Sequence, residues 1–174
     1  MMEHARTTLL EEALEAWTDA RTGVIAELEN LAPEDWEFRP APETRSVAEL
    51  AAHILEVAEM MVGELTAPEA GFGSVPFEDL LERHAGALRA ERDRNALLEA
   101  LRSTLDDGRD RFRKAGEIHV LGSIRRFDGE LGTRLAWLHH GIAQEEYHRG
   151  QLALCARLLG RVPALTKRIR GEEA

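Results

Sequence analysis

One cysteine, Cys155, stands in 174 residues, so an intramolecular disulfide is excluded and a reducing compartment is favoured. No apolar run approaches the roughly 20 residues that a membrane span requires. The opening Met1-Met2-Glu3-His4-Ala5-Arg6 carries no apolar stretch of the secretory kind. The expected location is the cytoplasm, with no membrane partner. Basic side chains are outnumbered, 22 against 32 acidic, for a net charge of −10. The basic clusters are Arg109–Lys114, which contains Asp110, and Lys167-Arg168-Ile169-Arg170. Both read as solvated surface, and no nucleic-acid partner is expected, because phosphate binding needs concentrated Lys and Arg. The sequence has no G-x-S-x-G, no glycine-rich phosphate loop and no H-E-x-x-H. Repeats and low-complexity tracts are also missing, which leaves a single domain over residues 1–174.

What is present is helical periodicity. Apolar residues make up 44% and charged residues 31% of the chain, an ordinary globular balance. Leu10, Leu14, Trp17, Val24, Leu28 and Leu31 mark a first helix over about residues 4–31, closed by Ala32-Pro33. Pro33, Pro40 and Pro42 prevent its continuation. The segment between should cross the end of a bundle, with Trp36 and Phe38 as plugs. Ser46-Val47-Ala48-Glu49 is a capping box that opens a second helix, and Thr66-Ala67-Pro68 closes it. After a loop over 68–76, the pattern predicts helices over about 77–91, 94–115 and 131–159. Ile118–Leu121 and Ile124–Phe127 read as short extended pieces, and Gly160 with Pro163 beyond it ends the last helix. Four long amphipathic helices joined by long crossovers predict an all-α, up-down four-helix bundle.

Chemistry concentrates in Trp137 to Leu152. On a helix turning about 100° per residue, with His148 at zero, Gln144 lies at about −40° and Leu152 at about 40°. Cys155 and Leu159 fall within about 20° of zero, so this stripe should face inward. His139 and Glu146 point away, Glu145 at about 60° sits on the boundary, and His140 at about −80° flanks the stripe. On the second helix His53 lies one turn from both Leu50 and Val57. Two inward histidines on different helices, one with an amide a turn away, suit a transition metal such as Zn²⁺, Ni²⁺ or Fe²⁺. They equally suit core histidines hydrogen-bonded to neighbours. Cys155 reads as a small hydrophobe rather than a nucleophile. Gly150 should admit a neighbouring helix, Gln151 should bond within the core, and Arg149 should lie at an edge or interface.

Three motifs in this order, Trp36-x-Phe38-x-Pro40, Ser46-Val47-Ala48-Glu49-Leu50-Ala51-Ala52-His53 and His148-Arg149-Gly150-Gln151-Leu152 followed by Leu158-Leu159-Gly160-Arg161-Val162-Pro163, resemble the DinB/YfiT-like family over nearly the whole chain. The resemblance implies a dimeric four-helix bundle with a divalent metal on three histidines, one from helix 2 and two spaced i, i+4 on the last helix. Carried over, these positions are His53, Gln144 and His148, with glutamine in place of the middle histidine. An amide oxygen is a weaker donor than imidazole to Zn²⁺ or Ni²⁺, so a weakened site is implied, with Glu145, His140 or water as substitute ligands. By analogy the function is a metal-dependent S-transferase using a low-molecular-weight thiol, or a hydrolase. The alternative is a non-catalytic dimeric bundle that has lost metal binding.

Overall fold

Each long helix begins where the sequence supplies a cap. In the computed structural model, which describes residues 7–172, Thr8 accepts from the Glu11 N–H at 3.2 Å and opens α1 (Leu9–Glu29). Ser46 accepts from the Glu49 N–H at 3.2 Å and Glu49 accepts from the Ser46 N–H at 3.0 Å, which starts α2 (Val47–Thr66). The chain then forms the short α3 (Phe77–Ala85). Asp93 caps α4 (Arg94–Ala115), and Thr133 caps α6 (Arg134–Leu158). Each such cap contributes about 1 kcal/mol and fixes where its helix enters the bundle.

Inter-helix contacts set the directions. Arg113 pairs with Glu11 and Arg102 with Glu29, so α4 runs antiparallel to α1. Trp17 reaches Glu145 and Asn30 reaches the Val162 carbonyl, so α6 runs parallel to α1. Arg111 donates to Thr66, and Gly108 lies against Val62, so α2 and α4 are parallel. Gly141 lies against Met61 while His53 meets His148, so α2 and α6 are antiparallel. The four-helix bundle therefore runs up, down, down, up, with α6 packed against α1 and α2. Residues 67–93, including α3, carry the chain back along the bundle between the two parallel helices. Trp36 and Phe38 plug the bundle end as the sequence indicates, Trp36 being 3% exposed.

The core divides into two apolar clusters. One gathers around Trp17, Met60, Met61 and Phe112, the other around Leu28, Ile54, Leu97 and Leu152. Between them the helices bring polar side chains inward: Arg21 is wholly buried, Glu145 is 1% exposed and His148 is 6% exposed. This polar layer at mid-height is where the fold departs from a simple apolar bundle.

Several boundaries differ from the sequence reading. α1 starts at Leu9, after the Thr8 cap, rather than at about residue 4; residues 4–6 of the predicted first helix lie outside the described residues. The helix expected over 77–91 stops at Ala85, where Gly86 takes over. Ile118–Leu121 is not extended; α5 (Glu117–Val120) is a helical turn that buries Val120 and leaves Ile118 exposed. Ile124 does lie in a strand, β1 (Ser123–Arg125), which pairs antiparallel with β2 (Leu131–Thr133). That hairpin takes the first three residues expected of the last helix. A further helix, α7 (Ala164–Arg170), follows Pro163. The buried Glu27 carboxylate accepts from the Ala164 and Leu165 N–H groups at 2.9 and 3.1 Å and so caps it from a distant helix.

Candidate functional site

The histidines expected together are together. His53 on α2 and His148 on α6 meet edge to face, ring centroids 5.0 Å apart at 85°. Two imidazoles sharing an ion at about 2.1 Å must lie within about 8 Å of each other, and these do. Each ring is held by an acceptor one turn further along its own helix. His53 Nδ1 lies 2.8 Å from Glu56 Oε1, and His148 Nδ1 lies 3.0 Å from Gln151 Oε1. Both acceptors are oxygens, so each Nδ1 donates, and in the neutral form of either ring the lone pair lies on Nε2. Neither Nε2 has a hydrogen-bond partner among the described residues. Glu56 is fixed in turn by Arg89 Nε at 2.9 Å. Burial pushes the His148 imidazole below its ordinary pKa, which favours the neutral form that offers a lone pair.

Gln144 completes the arrangement. Its Oε1 is buried and has no hydrogen-bond partner, although a buried amide oxygen ordinarily finds one. Leaving such an acceptor unmade costs about 1–3 kcal/mol. Gln144, His53 and His148 line one cavity of about 370 Å³. Two imidazole side chains and one amide side chain on a common cavity are, by their chemistry, a donor set that fits a divalent ion. The set has two strong donors and a weak one. No group of three His, Cys, Asp or Glu side chains that could hold an ion occurs among the described residues.

The two substitute ligands fall differently. His140 is exposed on the same cavity and stacks on Trp137, centroids 4.6 Å apart at 15°. Glu145 is not at a boundary: it is the centre of the buried face of α6, which also carries Arg134, Leu138, Ile142, Leu152 and Ala156. Its Oε1 accepts from Trp17 Nε1 at 2.7 Å and Arg21 Nη2 at 2.6 Å, and its Oε2 accepts from Arg21 Nε at 2.8 Å. Arg21 also donates to the Leu101 carbonyl and to Thr104. With both oxygens engaged toward α1, Glu145 does not line the His53 cavity. The inward stripe is thus rotated about 60° from His148, which sits at its edge.

Other expectations resolve as follows. His139 and Glu146 are exposed, as read. Arg149 lies at an edge, folded over Gly23 of α1 and paired with Glu146 at 3.0 Å. Gly150 does not admit a helix; it faces open space, and the close approaches between long helices and their neighbours occur at Gly23, Gly63, Gly108 and Gly141. Burial pushes the Cys155 thiol up, so it stays protonated near neutrality and is a poor nucleophile. The sequence reading missed Glu56, Arg21 and the aromatic wall of Phe77 and Phe127. A signal for Glu56 was present: each histidine is followed three residues on by an acceptor, in His53-Ile54-Leu55-Glu56 and His148-Arg149-Gly150-Gln151.

Beyond His53, opposite the cavity, lies a polar recess of about 220 Å³ lined by Arg45, Glu49, Glu56, Arg89 and Arg92. Glu49 and Glu56 are neutralised there by Arg39 and Arg89. No helix of the described residues is long and apolar enough to cross a membrane.

The model of the DinB family matches residues 1–174. Among solved structures, a DinB-family protein of Exiguobacterium sibiricum superposes with a TM-score of 0.65 at 19% identity, covering 90% of this chain and 95% of that one. A DinB-like protein of Bacillus subtilis gives 0.66 at 19% identity, covering 87% and 93%. A mycothiol-dependent maleylpyruvate isomerase gives 0.63 at 15% identity, covering 84% of this chain and 63% of that one. At these identities the likeness is one of fold. No curated protein matches the chain.

Proposed function

The chain belongs to the DinB family, and from that premise we propose that it is a divalent-metal-dependent transferase or hydrolase with a weak metal site. The reacting face is that of His53, Gln144 and His148. The observation that carries this is Gln144, its Oε1 buried without a partner, lining the same cavity as two imidazoles whose Nδ1 atoms are already held. His53 and His148 would hold Zn²⁺, Ni²⁺ or Fe²⁺ through Nε2, with Gln144 Oε1 as the third donor. An ion there supplies Lewis acidity and lowers the pKa of a bound thiol or water. Glu56 and Gln151 fix the tautomer and azimuth of the two rings, which raises their basicity as ligands. Phe77 and Phe127 stand at the rim of this face, where a bound substrate would exclude water and strengthen the charge interactions within it. A low-molecular-weight thiol is the co-substrate in the transferase form of this reading, and the maleylpyruvate isomerase neighbour, a mycothiol-dependent enzyme by its name, is consistent with it.

A titration with Zn²⁺ against a chromophoric chelator tests the reading. Wild type is expected to bind one weak equivalent, and His53→Ala or His148→Ala to lose at least tenfold of that affinity, about 1.4 kcal/mol. Equal binding by all three proteins would remove the assignment. The second reading, a non-catalytic bundle that has lost its metal, is favoured by one fact: glutamine stands where the resemblance places a histidine. It predicts no zinc uptake at all.

The proposed assembly is a homodimer. Tyr147, Leu154 and Leu158 line the outer face of α6 and are 66%, 52% and 57% exposed, an apolar stripe that a symmetric partner would cover. Light scattering should read twice the 19.5 kDa chain mass; a reading of one chain mass would count against it.

A further inference from the structure

We propose that the cavity beside His53 and His148 receives an uncharged, ring-bearing apolar group of the substrate. The inference rests on the proposed reacting face and names what lies against it. Its walls come from separate elements: Met60 and Met61 from α2, Phe77 from the start of α3, Phe127 from the hairpin turn, and Trp137 and Tyr147 from α6. No Asp, Glu, Lys or Arg lines it. In the metal-free chamber a charged group would lose its hydration with no acidic or basic side chain to replace it. The charges lie across His53, in the recess of Arg45, Arg89 and Arg92. The two sides of His53 therefore differ in what they can accept.

The geometry of the wall suits a flat ring. Phe127 meets Phe72, Phe77 and Trp137 with centroids at 5.0, 5.5 and 6.3 Å, a spacing at which aromatic rings attract one another. Phe77 and Phe127 stay 39% and 43% exposed at the rim. Apolar surface left wet around a concave site is what a ligand covers. The depth is set by Gly141, where an added Cβ would sit 3.2 Å from Met61 Cε. Met60 and Met61, 1% and 5% exposed, form an adaptable floor. A volume of about 370 Å³ is near the low end for small-molecule pockets, which suits a one- or two-ring group.

Calorimetric titration with naphthol and with naphthalene disulfonate, on metal-free and zinc-treated protein, tests this. Naphthol should bind once per chain to the metal-free protein, and the disulfonate at least about tenfold more weakly. Gly141→Leu fills the floor and should abolish naphthol binding. Phe127→Ala removes a rim ring outside the bundle core and should weaken it about fivefold, with zinc affinity changed less than about twofold. Equal binding of the two probes would overturn the inference, as would naphthol affinity unchanged in both variants. Naphthol binding without zinc uptake would uphold the apolar chamber while removing the metal reading. Zinc uptake without naphthol binding would do the reverse.

Discussion

Gln144 and Glu145 are neighbours in sequence and opposites in circumstance. Glu145 faces α1, and both its oxygens are taken by Trp17 and Arg21 in a site closed to water. Gln144 lines the cavity of His53 and His148, and its oxygen is buried without a partner. The polar layer of the bundle thus has a closed half and an open half. Every acceptor in the closed half is saturated, so its groups can only hold the helices in register. The open half leaves donors of lone pairs unused, at a cost of about 1–3 kcal/mol for the amide alone.

Breaking the closed half should have the largest effect. Arg21→Met strands the Glu145 carboxylate in the core and should cost about 3–5 kcal/mol, read by urea unfolding. In a chain of this size that is a fall in Tm of roughly 10 °C. The double variant Arg21→Met with Glu145→Leu should recover most of it, because an apolar pair needs no counter-charge. A loss below about 1 kcal/mol in the single variant would mean that the pair is not shielded from water. In the open half, Glu56→Gln should leave folding nearly unchanged and weaken zinc binding about 10–100-fold, since the carboxylate acts by orienting His53. If zinc affinity held while Tm fell, Glu56 would belong with the structural groups instead.

The smallest effect is expected at the surface, where neither half reaches. Arg39 hydrogen-bonds Glu49 and holds its carboxyl down at about 2. The unfolded chain takes up this proton near pH 4.5, whereas the folded chain refuses it until about pH 2. The pair therefore contributes stability above pH 4.5 that is lost as pH falls toward 2. The pair is exposed to solvent, which screens it, so its contribution is small. Glu49→Gln keeps the capping geometry and should flatten the acid limb of the stability curve between these pH values. An unchanged acid limb would show that the pair contributes nothing.

How much of this was legible depended on whether the signal was local. The caps at Ser46 and Glu49, the proline crossover and the meeting of His53 with His148 follow from short-range chemistry and from apolar spacing. The azimuth of α6 did not follow. Apolar periodicity treats a glutamate as outward, yet Glu145 and Arg134 belong to the buried face, so the stripe read from Leu152, Cys155 and Leu159 was turned toward His148. Only the partner, Arg21, 124 residues away, explains why a carboxylate is tolerated there. The same limit hid α7, whose N-terminus is capped by Glu27 across the fold. It hid the aromatic chamber as well, since Phe77 and Phe127 come from a short helix and a hairpin turn that share no periodic pattern.

The proposed metal site of the open half would be weakened by Gln144. Gln144→His puts an imidazole i, i+4 from His148 on the cavity that His53 already lines. Competition against a chromophoric chelator should then show Zn²⁺ held at least tenfold more tightly than by wild type, about 1.4 kcal/mol. Wild-type protein that keeps one tight equivalent through dialysis against a chelator would contradict the account, and so would a failure of both proteins to bind.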